Sequence, residues 1–182
     1  MNNLFLRAAF LSLCAFLSNN AISATQGTTG TTSTGTLDVD LIIPDLVRIT
    51  DLDDIDLGTY TGTGTETGND DMCVFRNGAG NYSVTVTTNK GDFRISRGSG
   101  GTAAEDIDFS AYWNDATTTT GRAALTYNTA LTTQTGAYTT DTDCDSGGSL
   151  NANFSVEIAE SDMQTKNPNT YSATVTIVIA PE

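Results

Sequence analysis

Three aspartates, Asp141, Asp143 and Asp145, stand at alternate positions in the stretch DTDCDSGG. Hard oxygen donors at that spacing are what a calcium-binding loop requires. The loop is imperfect, because its glycine comes one place late and Cys144 interrupts the run. Ala152 also stands at the twelfth position, where a bidentate glutamate would close the shell. Two other acidic stretches, DLDDID (51–56) and NDD (69–71), lack that spacing. Solvated acidic turns, which keep sheet edges from sticking, account for all three. Asp141, Asp143 and Asp145 stay as the candidate calcium ligands, and no resident metal or other cofactor is expected.

Histidine is absent from the chain. That removes nucleophile–histidine triads, His-ligated zinc and the commonest general base near neutral pH. A carboxylate-only site needs two acids opposed in a cleft with their pKa values pushed apart. The 22 acids here fall mostly in turns, so no enzymatic activity is expected.

What these residues need is a scaffold, and the first residues say where it folds. Arg7, the apolar run AAFLSLCAFL (8–17) and the small polar stretch SNNAISA (18–24) read as a secretory signal peptide over residues 1–24. No later run is long enough for a membrane-spanning helix, so no membrane insertion is expected after cleavage. Cleavage removes one of the eight cations and none of the 22 acids, leaving the formal charge more negative than −14. That excludes nucleic acid as a partner and disfavours anionic membranes. Cys73 and Cys144 remain, and an even pair in an exported chain reads as one disulfide.

Threonine, valine, isoleucine and tyrosine dominate where helix formers in helical spacing are scarce, so the class is all-β. Thr25 to Thr36 is a low-complexity leader expected to be flexible. Strands are expected at 45–49, 54–60, 73–88 (broken by a turn at Asn77-Gly78), 93–96, 107–113, 122–127, 136–140, 150–159 and 171–179. TGTGTETGNDD (61–71) reads as a loop. Regular spacing with turn signals predicts an antiparallel sandwich of one domain. The only tryptophan, Trp113, is expected in the core.

One further strand stands apart. In GTLDVDLIIP (35–44), Leu37, Val39, Leu41 and Ile43 share a face, Asp38 and Asp40 point away, and Pro44 stops the pairing. The last strand is apolar on one face through Tyr171, Ala173, Val175, Ile177 and Ile179, and no spare strand follows to cover it. Residues 37–43 have the complementary pattern for β-augmentation of another copy. Each copy gives one strand and takes one, so that contact is head-to-tail and does not close. A secreted acidic sandwich that uses residues 37–43 as its own first strand and binds carbohydrate or calcium as a monomer is the alternative.

At this point the chain resembles the pilins of the chaperone–usher pathway, of the archaic spore-coat-U-like or the alpha colonisation-factor type. The matching stretches are GTLDVDLIIP, DLGTY (56–60), CVFRNGAGNYSVTV (73–86), AYWND (111–115), CDSGGSLNANFSVEI (144–158) and TYSATVTIVIAPE (170–182). The resemblance implies an incomplete immunoglobulin-like β-sandwich over 45–182, behind a leader and donor strand over 25–44. It implies Leu37, Val39, Leu41 and Ile43 as donor residues, and Tyr171 to Ile179 as acceptor groove and chaperone contact. Its implied partners are identical or related pilin subunits, a periplasmic chaperone and an outer-membrane usher. Its implied location is the periplasm during assembly and then a surface fimbrium serving adhesion or biofilm formation.

Overall fold

The computed structural model describes residues 24–98, 105–145 and 149–182. Residues 1–23 of the expected signal peptide lie outside the described residues, as do 99–101 of the RGSGG loop and Gly147-Gly148 of the acidic loop. The chain divides into two units, Met1–Ile43 and Pro44–Glu182.

In the first unit, Thr25 and Thr36 exchange backbone hydrogen bonds of 2.9 and 3.0 Å. The leader closes into a loop at that point. Residues 37–43 have no ladder partner among the described residues.

The second unit contains β1 (Val47–Thr50), β2 (Glu66–Arg76), β3 (Tyr82–Thr88), β4 (Arg94–Arg97), β5 (Ile107–Asp108) and β6 (Ser110–Asn114). β7 (Ala123–Ala124), β8 (Leu131–Gln134), β9 (Ala152–Ile158), the single helical turn α1 (Glu160–Met163), β10 (Tyr171–Ser172) and β11 (Val175–Pro181) follow. A five-stranded sheet has the order β1-β2-β9-β6-β7, and two three-stranded sheets have the orders β11-β3-β8 and β10-β4-β5. All these pairings are antiparallel.

Alternation decides what each strand buries. Tyr82, Val84 and Val86 of β3 are fully buried and join Met72, Val74, Trp113, Phe154, Val156 and Ile158 in one core. Trp113 lies at its centre with no exposed surface. β9 is covered on both faces. Its second face buries Asn153, whose Nδ2 donates to Asp71 Oδ1 (2.7 Å), and Ser155, whose hydroxyl accepts from Arg122 Nη1 (3.0 Å). Arg122 also pairs with Glu157 at 2.7 Å and lies 3.8 Å over the ring of Tyr112.

Several expected elements differ. The expected loop 61–71 is half strand: Glu66 to Met72 pair in unbroken register with Ile158 back to Ala152. Its polar composition disfavours a strand, but β9 needs a partner, and tertiary pairing overrides local preference. Gly68 has a packing role there, since a Cβ on it would lie 2.4 Å from Ile55 Cγ2 and 2.7 Å from Leu57 Cδ2. The expected strand 54–60 has no ladder partner among the described residues, although Ile55, Leu57 and Tyr60 pack on the core. The run 107–113 changes sheet at Phe109, giving β5 and β6. Only Ala123–Ala124 pairs within 122–127, and 136–140 contributes one bridge, Tyr138 to Phe75. β8 and α1 were not legible in the sequence pattern.

Candidate functional site

β11 is the outermost strand of its sheet, hydrogen-bonded to β3 on one side and to no described strand on the other. Its apolar face is Val175, Ile177 and Ile179, opposite Thr88, Val86 and Val84. These three β3 residues are buried, yet their three partners on β11 are only half-buried while touching the same core. Core contact with incomplete cover marks an open seam. On the other sheet, β1 is the edge strand and approaches β11. Ile49 of β1, with Ile55 and Leu57 beyond it, is likewise half-buried against the core.

The expected acceptor strand 171–179 is divided. Tyr171 belongs to β10, paired with Arg97 of another sheet, and its hydroxyl donates to Asn167 O (2.8 Å). Ala173 lies in the link, so Val175, Ile177 and Ile179 are the residues the fold aligns along the free edge. In the first unit, Leu37, Val39, Leu41 and Ile43 are 72, 85, 81 and 73 % exposed, and Ile42 is exposed too. Five large apolar side chains within seven residues make a contiguous exposed run.

One end of the second unit is tied by Arg76, a buried cation at the end of β2. Its Nη2 donates to the main-chain oxygen of Glu182 (2.9 Å) and lies 3.5 Å from the Asp45 carboxylate. Gly80 lies against the guanidinium, where any side chain would collide with Nη1. Beside it, Asn77 Nδ2 donates to Pro44 O (2.7 Å), and Asn77 Oδ1 accepts from Leu46 N–H (2.6 Å). In the sequence Asn77-Gly78 signals only a turn and Arg76 carries no signal, because the side-chain partners of both are distant in sequence.

The acidic stretches make local contacts. Asp141 Oδ1 and Asp143 Oδ1 accept backbone N–H groups two residues on, at 3.4 and 3.5 Å, and Asp143 lies 3.9 Å from Arg48. Among the described residues, no group of three acidic, cysteine or histidine side chains is placed to hold a metal. Cys144 between them is bonded to Cys73, pinning this loop to β2. A loop closed across 71 residues restricts the unfolded chain by about 4 kcal/mol on the entropic model. Asp70 accepts from Asp53 N–H (3.0 Å), and partial burial, then the nearby Asp53, Asp71 and Asp51 charges, push its carboxyl above the ordinary range. Among the described residues no helix is long and apolar enough to cross a membrane.

No family model matches the chain, and no curated protein matches it. Among solved structures it is similar to a chain of the complex described as a chaperone–tip adhesin complex vital for synergistic activation of CFA/I fimbriae biogenesis. The TM-score is 0.51 at 14 % identity, over 75 % of this chain and 42 % of that one. This chain therefore spans less than half the length of its structural neighbour. The likeness is one of fold. The second unit is an all-β, immunoglobulin-like sandwich with the unpaired edge of β11 beside its core.

Proposed function

We propose that the chain is a structural subunit of a surface fimbria that polymerises by donor-strand exchange. In this reading Leu37, Val39, Leu41 and Ile43 of one copy lie along β11 of the next and cover Val175, Ile177 and Ile179. The observation that carries it is the unpaired, half-covered edge of β11 in a chain that also carries an exposed alternating strand. The incoming backbone satisfies the free edge, and each apolar side chain removed from water contributes about 1.5–3 kcal/mol before ordering costs. The fold likeness to a chain of a fimbrial chaperone–adhesin complex supports the same reading. On it, a periplasmic chaperone covers the edge before assembly, an outer-membrane usher exchanges that cover for the neighbour's strand, and the disulfide forms on export. The role is structural, not catalytic.

The test compares residues 25–182 in natural order with a rearranged chain carrying 25–43 behind Glu182 through a flexible linker. Both are expressed in a periplasm and compared by yield and native mass. A soluble, heat-stable monomer only from the rearranged chain is the expected result. A well-behaved monomer from the natural order would instead favour the self-complete secreted binding module.

A further inference from the structure

Asn77 makes three hydrogen bonds to the first residues of the sandwich. Its N–H donates to Leu46 O (3.0 Å), its Oδ1 accepts from Leu46 N–H (2.6 Å), and its Nδ2 donates to Pro44 O (2.7 Å). The side-chain amide thereby acts as one more peptide unit on the β1–β2 ladder, one step beyond the pair Val47 and Arg76. Asp45, between the two clamped residues, is drawn to the buried Arg76 guanidinium. Pro44 has no N–H to continue the ladder and a fixed φ. The strand residue Ile43 precedes it directly, with no spacer.

We propose that Asn77 is a positioning residue that stiffens the junction between successive subunits. The inference rests on the fimbrial reading above. When the strand 37–43 of one copy is held by a neighbour, the freedom between two sandwiches lies in the residues joining that strand to β1. A spacer of several free residues would let them swing. Here Pro44 and Leu46 are held by their own sandwich, so only the bonds around Ile43 and Pro44 stay free, and proline restricts these. Without the Nδ2 bond the free stretch lengthens toward Leu46, and without Oδ1 as well Leu46 keeps only the bond from the Asn77 N–H to its carbonyl.

The test compares polymers of the full chain with those of Asn77→Ala and Asn77→Asp by negative-stain microscopy, scoring the angle between adjacent subunits. Asn77→Asp keeps the acceptor for Leu46 and loses the donor for Pro44, so it isolates one bond. The expected result is an angular spread about two-fold wider for Asn77→Ala, as a longer free linker gives, with Asn77→Asp in between and thermal stability of Asn77→Asp near wild type. If Asn77→Ala fails to fold, the comparison of Asn77→Asp with wild type decides. Polymers with unchanged spread overturn the clamp and leave the fimbrial reading standing. A wild-type chain that never polymerises overturns both.

Discussion

Asp115 accepts from three donors, two of which lie 33 and 20 residues away in sequence. The buried Tyr82 hydroxyl donates to Oδ1 at 2.5 Å, Trp113 Nε1 donates to the same oxygen at 3.3 Å, and Thr135 N–H donates to Oδ2 at 2.7 Å. Burial first, and then the Asp115 carboxylate, push the Tyr82 phenol far above its ordinary range, so it stays a donor. Asp115→Ala strands a buried hydroxyl, and a buried donor without a partner costs about 1–3 kcal/mol. We expect a loss of that size in urea unfolding, and a smaller one for Tyr82→Phe, which removes the donor as well. Equal losses would show that the pin is not the source. Asp70 gives a different expectation. Its folded-state pKa lies above the unfolded one, so its protonation adds stability that is fully present below about pH 4, the ordinary aspartate value, and is lost as pH rises through the folded pKa. Asp70→Asn removes that dependence: its melting temperature should gain on wild type between acid and neutral pH. An unchanged difference across that range would remove Asp70 as a titrating contributor.

At the level of elements, β2 shows how composition misleads. Its inward positions read Glu66, Gly68, Asp70, Met72, Val74 and Arg76, apolar only in the middle, and the pairing with β9 and β1 makes it a strand. Gly68 lets Ile55 and Leu57 cross its face at backbone distance. Gly68→Ala should push that segment outward at an overpacking cost of about 1–3 kcal/mol. The readout is the unfolding midpoint of the chain, and a neutral substitution would mean that residues 55–57 shift freely. The turn from β2 to β3, which carries the chain from one sheet to another, was legible by contrast. Asn77-Gly78 signals a turn, and Tyr82, Val84 and Val86 alternate without interruption until Thr88. β11 was half legible: its periodicity gives the apolar face, but the sheet to which Tyr171 belongs depends on β4, more than 70 residues earlier.

For the whole molecule, exposed apolar surface is concentrated where the proposed assembly needs it. Of the large apolar residues left exposed among the described residues, Leu37, Val39, Leu41, Ile42 and Ile43 fall in the leader strand, Val178 lies on the outer face of β11, and Leu46 and Leu52 flank β1. A charge placed in the leader strand should therefore prevent assembly. We expect Leu41→Asp to abolish the high-mass species that the wild-type chain forms in size-exclusion chromatography. A variant that still polymerises would place the intermolecular contact elsewhere. The acidic composition, at a formal charge of −14 for the whole chain, opposes non-specific association.

The amino-acid sequence by itself determined the all-β class, the inward faces of β3, β9 and β11, the burial of Trp113 and the pairing of Cys73 with Cys144. Alternation, turn residues and cysteine count are local or countable quantities, and burial follows them wherever one face is strongly apolar. Only the tertiary structure decided that polar residues 66–71 form a strand, that 107–113 and 171–179 each divide between sheets, and that β11 is an edge. It also decided that Asn77, Arg76 and Asp115 join distant segments. These depend on which strands lie side by side, and a hydrogen bond across dozens of residues leaves no period in the sequence.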